Sequence, residues 1–273
     1  MPHDELLTAR YDAGEARAIY ELIMRHRFGL SRTDILLGKD TNLSAKDKAE
    51  LQIIVGRVAK GEPVQYVLGC EEFCGRTFLV GPGVLIPRPE TQQLVHLVKQ
   101  TVSPGSSILD IGTGSGCIAI TLALADYNMV ALDVSEEALA YSRKNAESHG
   151  AKVEFVKGDI LRQEAPPTSF SAIVSNPPYI CQKEAAEMEE NVLLHEPHLA
   201  LFVPDDDPLL FYRAIADYGL QHLIDEGWLF FETNRTYAKQ VGELLSQKGY
   251  TKVKTIKDGY DNDRFVCACR EAL

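Results

Sequence analysis

The sequence predicts an α/β protein: a mostly parallel, doubly wound sheet of seven strands, preceded by a small helical domain and a β-hairpin. From Ser106 onward, short apolar segments alternate with segments at helical spacing, which is typical of a sheet covered by helices on both faces. Only 258–262 separates the last two predicted strands, 252–257 and 263–269. So short a link cannot make a parallel crossover, and the final pair should therefore be antiparallel.

The elements of this second part follow from hydrophobic periodicity. The predicted strands are 106–111, 129–133, 152–159, 170–175, 227–232, 252–257 and 263–269, and the predicted helices are 91–101, 115–125, 136–149, 209–224 and 237–248. A parallel sheet with one antiparallel strand inserted near its end is the Rossmann-like arrangement of class I methyltransferases.

Residues 1–62 form the predicted helical domain. Helical spacing runs from Leu6 to Phe28, and serines at 31 and 44 can cap two further helices. Alternating aromatic and β-branched residues then predict a hairpin over Pro63–Val80, and the glycines and prolines that follow mark a connector up to Glu90. We therefore divide the chain into 1–62, 63–90 and 91–273.

Composition narrows the partners and the compartment. The formal net charge is −11, with 28 basic against 39 acidic residues, which makes nucleic acid a less favoured partner because phosphate binding usually needs a basic face. The six cysteines form no paired CxxC units with zinc spacing, and free thiols are typical of a reducing cytoplasm. We find no membrane span and no signal peptide, and we expect a cytoplasmic monomer without a metal.

A glycine loop follows the first strand of the predicted sheet, where open α/β sheets bind ligands. It reads Asp110-Ile111-Gly112-Thr113-Gly114-Ser115-Gly116, and Cys117 stands where a dinucleotide motif would have its third glycine. S-adenosylmethionine carries a sulfonium, an ammonium and a carboxylate in place of a pyrophosphate. Asp110 and the free backbone N–H groups of the loop suit that mixture of charges.

Two more acids end the next two strands. Asp133, 21 residues after Gly112, can accept hydrogen bonds from both ribose hydroxyls. Asp159 could meet the adenine amino group, with Ile160 packing nearby. Either acid alone could be a helix cap, since Asp133 lies just before Ser135, but acids at three successive strand ends favour a cofactor site.

The loop Asn176-Pro177-Pro178-Tyr179 follows the apolar strand 170–175. Two prolines end a central strand, and an asparagine before proline is held extended. A planar –NH2 group is a poor nucleophile, because its lone pair is delocalised. The Asn176 side-chain oxygen and the Pro177 carbonyl could accept its two N–H groups and orient it for methyl transfer, while Tyr179 offers an aromatic face to a flat substrate.

Six segments together resemble the HemK/PrmC family, the peptide chain release factor glutamine N5-methyltransferases. They are GEPVQYVLGCEEFCGRTFLV, VLIPRPET, DIGTGSG, SNPPYI, EPHLALF and the terminal DRFV. The connector and EPHLALF are the more specific, because NPPY is shared with nucleic-acid N-methyltransferases.

The resemblance implies contacts between S-adenosylmethionine and Gly112 to Gly116, Asp133, Ile160 and Asn176. It implies that Asn176 to Tyr179 hold the glutamine of the Gly-Gly-Gln tripeptide in class I release factors, and that the helical domain binds the release factor. From the connector we add Arg88 and Glu90 as candidate substrate-binding residues. Two departures leave the substrate rim open: Gln92 stands where the family has an acid, and 203–208 replaces glycines.

Two rival interpretations share the same motifs. An adenine or guanine N-methyltransferase acting on DNA or rRNA would have this fold, cofactor and NPPY loop, but a more basic surface. A binding module with a decayed site would have lost part of the two loops, and both are intact. His195-Glu196-Pro197-His198 superficially resembles a metal site, but Pro197 breaks helical spacing, so a packing or surface role is favoured.

Overall fold

The computed structural model describes residues 6–272, which form two compact units. The first unit comprises Met1–Cys70 together with Met188–His195, and the second comprises Glu71–Glu187 and Glu196–Leu273. The first unit has one hydrophobic core, and the second unit has two, one on each face of its sheet.

The first unit is helical. Its helices are α1 Ala13–Phe28, α2 Arg32–Leu36, a 3-10 turn Lys39–Asn42, α3 Ala45–Ala59 and α4 Val64–Leu68. The predicted caps of the second and third helices are confirmed: Ser31 forms a capping box with Asp34, and the Ser44 side chain accepts from Asp47 N. Residues 6–8 are helical as predicted, but the run is interrupted at 9–12, and α1 begins at Ala13 with Asp12 as its cap.

The prediction of a hairpin over Pro63–Val80 is wrong in its first half. Val64–Leu68 is the helical turn α4, which buries Val64 and Tyr66 and ends at Gly69 in the left-handed region (φ 77°). Burial of this pair in the tertiary fold overrides the strand preference of the segment. The hairpin itself is β1 Cys70–Phe73 and β2 Arg76–Leu79, joined by the two-residue turn Cys74-Gly75 with positive φ at both residues.

The second unit is built on the predicted seven-stranded sheet. Its strands are β3 Ser107–Ile111, β4 Asn128–Asp133, β5 Val153–Lys157, β6 Phe170–Ser175, β9 Leu223–Glu232, β10 Tyr250–Lys257 and β11 Asp263–Arg270. Their order is β10-β11-β9-β6-β3-β4-β5. Strand β11 is antiparallel to both neighbours, and the other pairs are parallel. The predicted fold class is thereby confirmed.

Helices cover both faces of this sheet. They are α5 Pro89–Thr101, α6 Cys117–Ala123, α7 Glu136–His149, α10 Leu210–His222 and α11 Ala238–Gln247. Side chains of α5, α6 and α7 share one core with Ala172 and Phe230, while those of α10 and α11 share the other with Ile173 and Phe231. Because successive strand residues point to opposite faces, each strand contributes to both cores.

Between β6 and β9 the chain is less irregular than the sequence suggested. It forms a 3-10 turn Gln182–Glu187, the short helices α8 Glu190–His195 and α9 His198–Leu201, and a two-stranded parallel pair of β7 Ile180–Cys181 with β8 Phe202–Val203. Strand β7 begins directly after Tyr179 and so anchors the end of the NPPY loop.

Candidate active site

A cleft of about 860 Å³, measured out to its open mouth, lies at the carboxyl ends of the parallel strands. Residues at the ends of three neighbouring strands line it, among them Gly112, Asp133 and Asn176. Parallel strands bring their carboxyl ends to one edge, and this edge is where open α/β sheets bind ligands.

Two glycines of the loop after β3 form part of the cleft wall. Gly112 and Gly114 have positive φ (76° and 55°), line the cleft, and would each place a Cβ in open space. Gly116 (φ 82°) is needed for a different reason, because a Cβ there would lie 2.9 Å from the Ser142 Cβ. The loop is fixed to β4 by hydrogen bonds from Gly112 N and Thr113 N to the Leu132 carbonyl (2.9 and 3.1 Å).

The polar side chains of this loop face the protein interior. Asp110 is fully buried and accepts a hydrogen bond from the Thr113 hydroxyl (2.7 Å), while the Ser115 carbonyl accepts from the Asn145 side chain (2.8 Å). Burial raises the pKa of Asp110 to about 7. Asp110, Thr113, Ser115 and Gly116 do not line the cleft, so within the described residues they support the loop from behind.

Asp133 and Asp159 line the cleft, and each also fixes local backbone. The Asp133 carboxylate accepts from Gly114 N (2.8 Å) and from Ser135 N (2.9 Å), so it joins the glycine loop to the start of α7. Burial raises the pKa of Asp133, and these N–H groups oppose the shift. Asp159 accepts from Leu161 N (2.9 Å), and Ile160 beside it lines the cleft.

The NPPY loop leaves the sheet at Ser175, whose hydroxyl donates to the Ile111 carbonyl of β3 (2.7 Å). Asn176, Pro177 and Pro178 line the cleft, whereas Tyr179 does not. The Tyr179 hydroxyl instead donates to a Glu232 carboxylate oxygen at 3.4 Å, and burial is the main cause of its raised pKa. The tyrosine therefore lies behind the loop, next to the end of β9.

The structure places Arg88 and Glu90 outside the cleft lining. The Arg88 guanidinium pairs with Glu196 (2.5 Å), whose side chain is 1 % exposed and also accepts from Ile86 N (3.1 Å). Glu90 lies in the first turn of α5. Their role toward substrate stays a prediction, while the Arg88–Glu196 pair joins the connector to the segment that begins EPHLALF.

Several residues that line the cleft were not predicted from the sequence to belong to the site. The connector contributes Gly83, Val84 and Leu85, and the segment after Glu196 contributes Pro197, Leu199 and Ala200. Helix α10 adds Phe211 and Ile215. Apart from Gly83, the first two sets belong to the segments VLIPRPET and EPHLALF, and the family resemblance of these segments was the signal that could have identified them. The residues of α10 look like ordinary core positions of a helix and gave no signal.

The two departures from the family pattern have partners in the structure. Gln92 accepts from Cys74 N of the hairpin turn (3.2 Å). In the segment 203–208, Asp205 accepts from Lys183 N (2.9 Å), and Asp207 pairs with Arg213. Both positions thus stabilise local structure.

Within residues 6–272, no cluster of three or more His, Cys, Asp or Glu side chains could hold a metal ion. Glu196 of the His195–His198 segment is buried against Arg88, and the His198 ring packs edge-on against Phe202 (5.2 Å). In that same part of the chain no helix is long and apolar enough to span a membrane. All six cysteines are free thiols.

The residues that line the cleft fit S-adenosylmethionine. Two glycines leave open space where side chains would stand. The half-buried carboxylate of Asp133 retains free lone pairs for hydroxyl donors, and Ile160 and Val84 supply an apolar wall for a flat base. Together with the order of the sheet, these features define the chain as a Rossmann-like methyltransferase that uses S-adenosylmethionine.

Comparison with known proteins agrees with this class. Residues 89–201 match the methyltransferase small domain, and residues 5–69 match the PrmC N-terminal domain. The release factor glutamine methyltransferase of Bacteroides thetaiotaomicron is 48% identical over 95% of both chains. That of Flavobacterium psychrophilum is 39% identical over 96% of this chain and 94% of its own.

Among solved structures, a methyltransferase from Pyrococcus furiosus shares the fold, with a TM-score of 0.56 and 19% identity over 81% of this chain and all of its own. The identities and coverage of the curated relatives show the family. The chain belongs to the release factor glutamine methyltransferases.

Proposed function

We propose that this protein transfers the methyl group of S-adenosyl-L-methionine to the side-chain amide nitrogen (N5) of the glutamine in the Gly-Gly-Gln motif of class I release factors, and so modulates translation termination. One observation carries the proposal. In a chain of this family, Asn176 and Pro177 lie at the end of the central strand β6 and line the cleft that fits the cofactor. The other product is S-adenosyl-L-homocysteine.

The residues proposed to hold the cofactor come from three strand ends. Gly112 and Gly114 provide backbone without a Cβ, Asp133 accepts from the ribose hydroxyls, and Asp159 with Ile160 contacts the base. Asp110, Thr113, Ser115 and Gly116 hold the loop in this conformation from the interior side. When bound, the cofactor supplies an electrophilic methyl group on its sulfonium.

The acceptor side of the reaction rests on the NPPY loop. The Asn176 Oδ1 and the Pro177 carbonyl accept hydrogen bonds from the two N–H groups of the glutamine amide. These hydrogen bonds orient the amide so that the lone pair of its nitrogen faces the methyl group of the cofactor. A bound near-attack geometry can lower the barrier substantially. No base needs to act before transfer, because the methylated amide loses its extra proton readily. Pro178 and Tyr179 shape the loop, and Arg88 and Glu90 are proposed for the substrate rim.

The helical domain, residues 1–62, is proposed to bind the release factor away from the glutamine. Its core is separate from that of the catalytic unit, so it can carry a recognition surface without contributing to the cleft. We further propose that the enzyme works as a cytoplasmic monomer and needs neither nucleic acid nor a membrane. Light scattering of the purified protein measures its molar mass, which should equal that of one chain.

The decisive experiment uses isotopically labelled cofactor and purified class I release factor. Label should appear on the wild-type release factor and not on a variant whose Gly-Gly-Gln glutamine is replaced. Duplex DNA and ribosomal RNA are assayed in parallel. Label on nucleic acid with none on the release factor would establish the rival acceptor class instead.

A further inference from the structure

A chain of hydrogen bonds leads from Asn176 of the NPPY loop into the protein interior and ends at the carboxylate of Glu232, which does not contact the cleft. The Asn176 amide nitrogen Nδ2 donates to the Thr91 hydroxyl (3.4 Å), and that hydroxyl donates to Glu232 Oε2 (2.7 Å). Thr91 is 3 % exposed and Glu232 1 %. Three elements therefore meet here: the first turn of α5, the loop after β6 and the end of β9.

The sheet register explains why these groups meet. Ser175 of β6 pairs with Phe231 of β9, so the next residues along the two parallel strands, Asn176 and Glu232, are neighbours at the carboxyl edge. Helix α5 starts at Pro89 and places Thr91 above both strand ends.

The chemistry of the three groups fixes the direction of every hydrogen bond. An ionised carboxylate only accepts, so the single hydroxyl proton of Thr91 goes to Glu232. The Thr91 oxygen is then left as an acceptor, and only the NH2 side of the Asn176 amide can satisfy it. This orientation leaves Asn176 Oδ1 on the other side of the amide, without a donor among the described residues.

Burial and the neighbouring groups act in opposite directions on the ionisation of Glu232. Burial raises the pKa of Glu232 to about 7, and hydrogen bonding by Thr91, the charge of Arg264 and the Tyr179 hydroxyl act in the opposite direction. The Tyr179 hydroxyl donates to the other oxygen of Glu232 (3.4 Å), so the two oxygens accept one hydrogen bond from α5 and one from the NPPY loop. Above pH 7 the Glu232 carboxylate therefore accepts from the Thr91 hydroxyl, which in turn fixes Asn176, and it accepts directly from the Tyr179 hydroxyl.

We propose that Thr91 and Glu232 are positioning residues, which hold the Asn176 amide with Oδ1 toward the methyl acceptor and thereby raise the turnover rate. The proposal rests on the proposed function, since it assumes that Asn176 Oδ1 accepts from the substrate –NH2. Neither residue lines the cleft. Their loss should thus affect the chemical step rather than the binding of cofactor or release factor.

The test makes two comparisons, wild type against Thr91→Val and Thr91→Ser against Thr91→Ala, and in each comparison the two proteins differ by the presence of the hydroxyl at position 91. Thr91→Val replaces the hydroxyl of the native threonine with a methyl group, and Thr91→Ala lacks the hydroxyl that Thr91→Ser retains. At pH 8 we expect Thr91→Val and Thr91→Ala to lower kcat by about 10- to 100-fold, as misorientation of a reacting group does. Thr91→Ser should keep kcat within about threefold of wild type, while KM for release factor and the Kd for cofactor stay unchanged in all three.

Thr121→Val in α6 is the matched control. The Thr121 hydroxyl oxygen is also buried but has no hydrogen-bond partner within residues 6–272, so the same chemical change should leave kcat unaltered. If Thr91→Val folds poorly, as thermal unfolding would reveal, the alanine and serine pair decides the result.

The outcomes separate this inference from the function on which it rests. If the wild-type enzyme does not label the release factor, the proposed function fails before Thr91 is tested. If the wild type is active and the serine variant loses as much kcat as the alanine variant, or if neither hydroxyl-free variant loses kcat, Thr91 does not position Asn176. A parallel rise in the cofactor Kd of Thr91→Val would likewise overturn the inference.

Discussion

At the scale of single residues, the cleft combines groups that face the ligand with groups that hold them from behind. Asn176 and Asp133 line the cleft, whereas Asp110 and Glu232 are buried carboxyls on the interior side. The two sets should respond differently to substitution. Loss of a lining group should change binding or turnover directly. Loss of Asp110 should change stability and its dependence on pH, and loss of Glu232 should lower turnover through Asn176.

Asn176→Ala should lose about 100-fold or more in turnover while cofactor binding changes little. The missing oxygen is proposed to act mainly on the acceptor nitrogen, and removal of one preorganised polar group in an active site typically costs about 100- to 1,000-fold. Calorimetry gives the cofactor Kd, and labelled methyl transfer gives kcat. Unchanged turnover together with intact cofactor binding would exclude the proposed role of Asn176.

Asp133→Ala should mainly weaken cofactor binding. Its carboxylate is proposed to accept from two ribose hydroxyls, and hydrogen bonds to a charged group contribute about 1.5–3 kcal/mol, or roughly 10- to 100-fold in Kd. Calorimetric titration measures the effect. Glu154→Ala, an exposed acid on β5, is the control for the change in net charge and should bind normally. A Kd within twofold of wild type for Asp133→Ala would remove Asp133 from the cofactor site.

The buried carboxyl of Asp110 should make stability fall as pH rises. Its folded pKa of about 7 lies above its ordinary value of 3.8, so the folded state binds more protons between these values. The stabilising contribution is complete below 3.8 and is lost as pH rises through 7. From pH 5 to 8, Asp110→Asn should gain on the order of 2 kcal/mol in free energy of unfolding relative to wild type. Urea unfolding without cofactor measures this difference, and a pH-independent difference would contradict it.

At the scale of elements, the site depends on how one loop passes from β3 into α6. Gly116 caps α6 in the left-handed region and lies against α7, so this junction sets the distance between the loop and the neighbouring helix. The Asn145 side chain of α7 donates to the Ser115 carbonyl and reaches the Leu79 carbonyl of β2, so α7 holds both the loop and the hairpin. The position of α7 therefore determines the shape of the cleft wall.

Gly116→Ala should destabilise the protein by about 1–3 kcal/mol and weaken cofactor binding. Its Cβ would meet Ser142 Cβ at 2.9 Å in a backbone conformation that disfavours side chains. Gly105→Ala is the matched control, because Gly105 has a similar φ (84° against 82°) but nothing within 4 Å of the added Cβ. Chemical denaturation and calorimetry should show a larger effect at 116. Equal effects at both positions would mean that close packing against α7 has no role.

At the scale of the whole molecule, the chain forms two units with separate cores. The short helix at Glu190–His195 belongs to the first unit although its neighbours in sequence belong to the second. Within that unit Glu190 pairs with Arg10 (2.9 Å). The hydrogen bond from Arg57 is the main cause of the lowered pKa of Glu62, and the nearby His195 acts in the same direction. The first unit thus includes the segment Met188–His195, which follows the NPPY loop in sequence.

Ile23→Ala should weaken the first unit and leave the cofactor site intact. Ile23 is fully buried in the helical core, and truncation of such a side chain costs about 2–5 kcal/mol. Hydrogen exchange should rise in 13–59, while the cofactor Kd stays within about twofold. Ile173→Ala, the matched change in the strand before Asn176, should raise the Kd. If Ile23→Ala weakened cofactor binding as strongly as Ile173→Ala, the two cores would not be independent.

The sequence by itself determined the seven strands, their mostly parallel order and the helices on both faces, because apolar periodicity is local and short links exclude crossovers. It also predicted which strand ends line the cleft, since Gly112 and Asn176 directly follow an apolar strand and Asp133 ends one. All three line the cleft.

Only the tertiary structure decided which side of a loop each residue occupies. Asp110 and Asp133 read alike in sequence as acids at strand ends, yet one is sealed beneath the loop and the other lines the cleft. The partnership of Thr91 with Glu232, 141 residues apart, was equally invisible. Such contacts depend on sheet register and on the placement of helices across the chain, and no local pattern encodes that long-range packing.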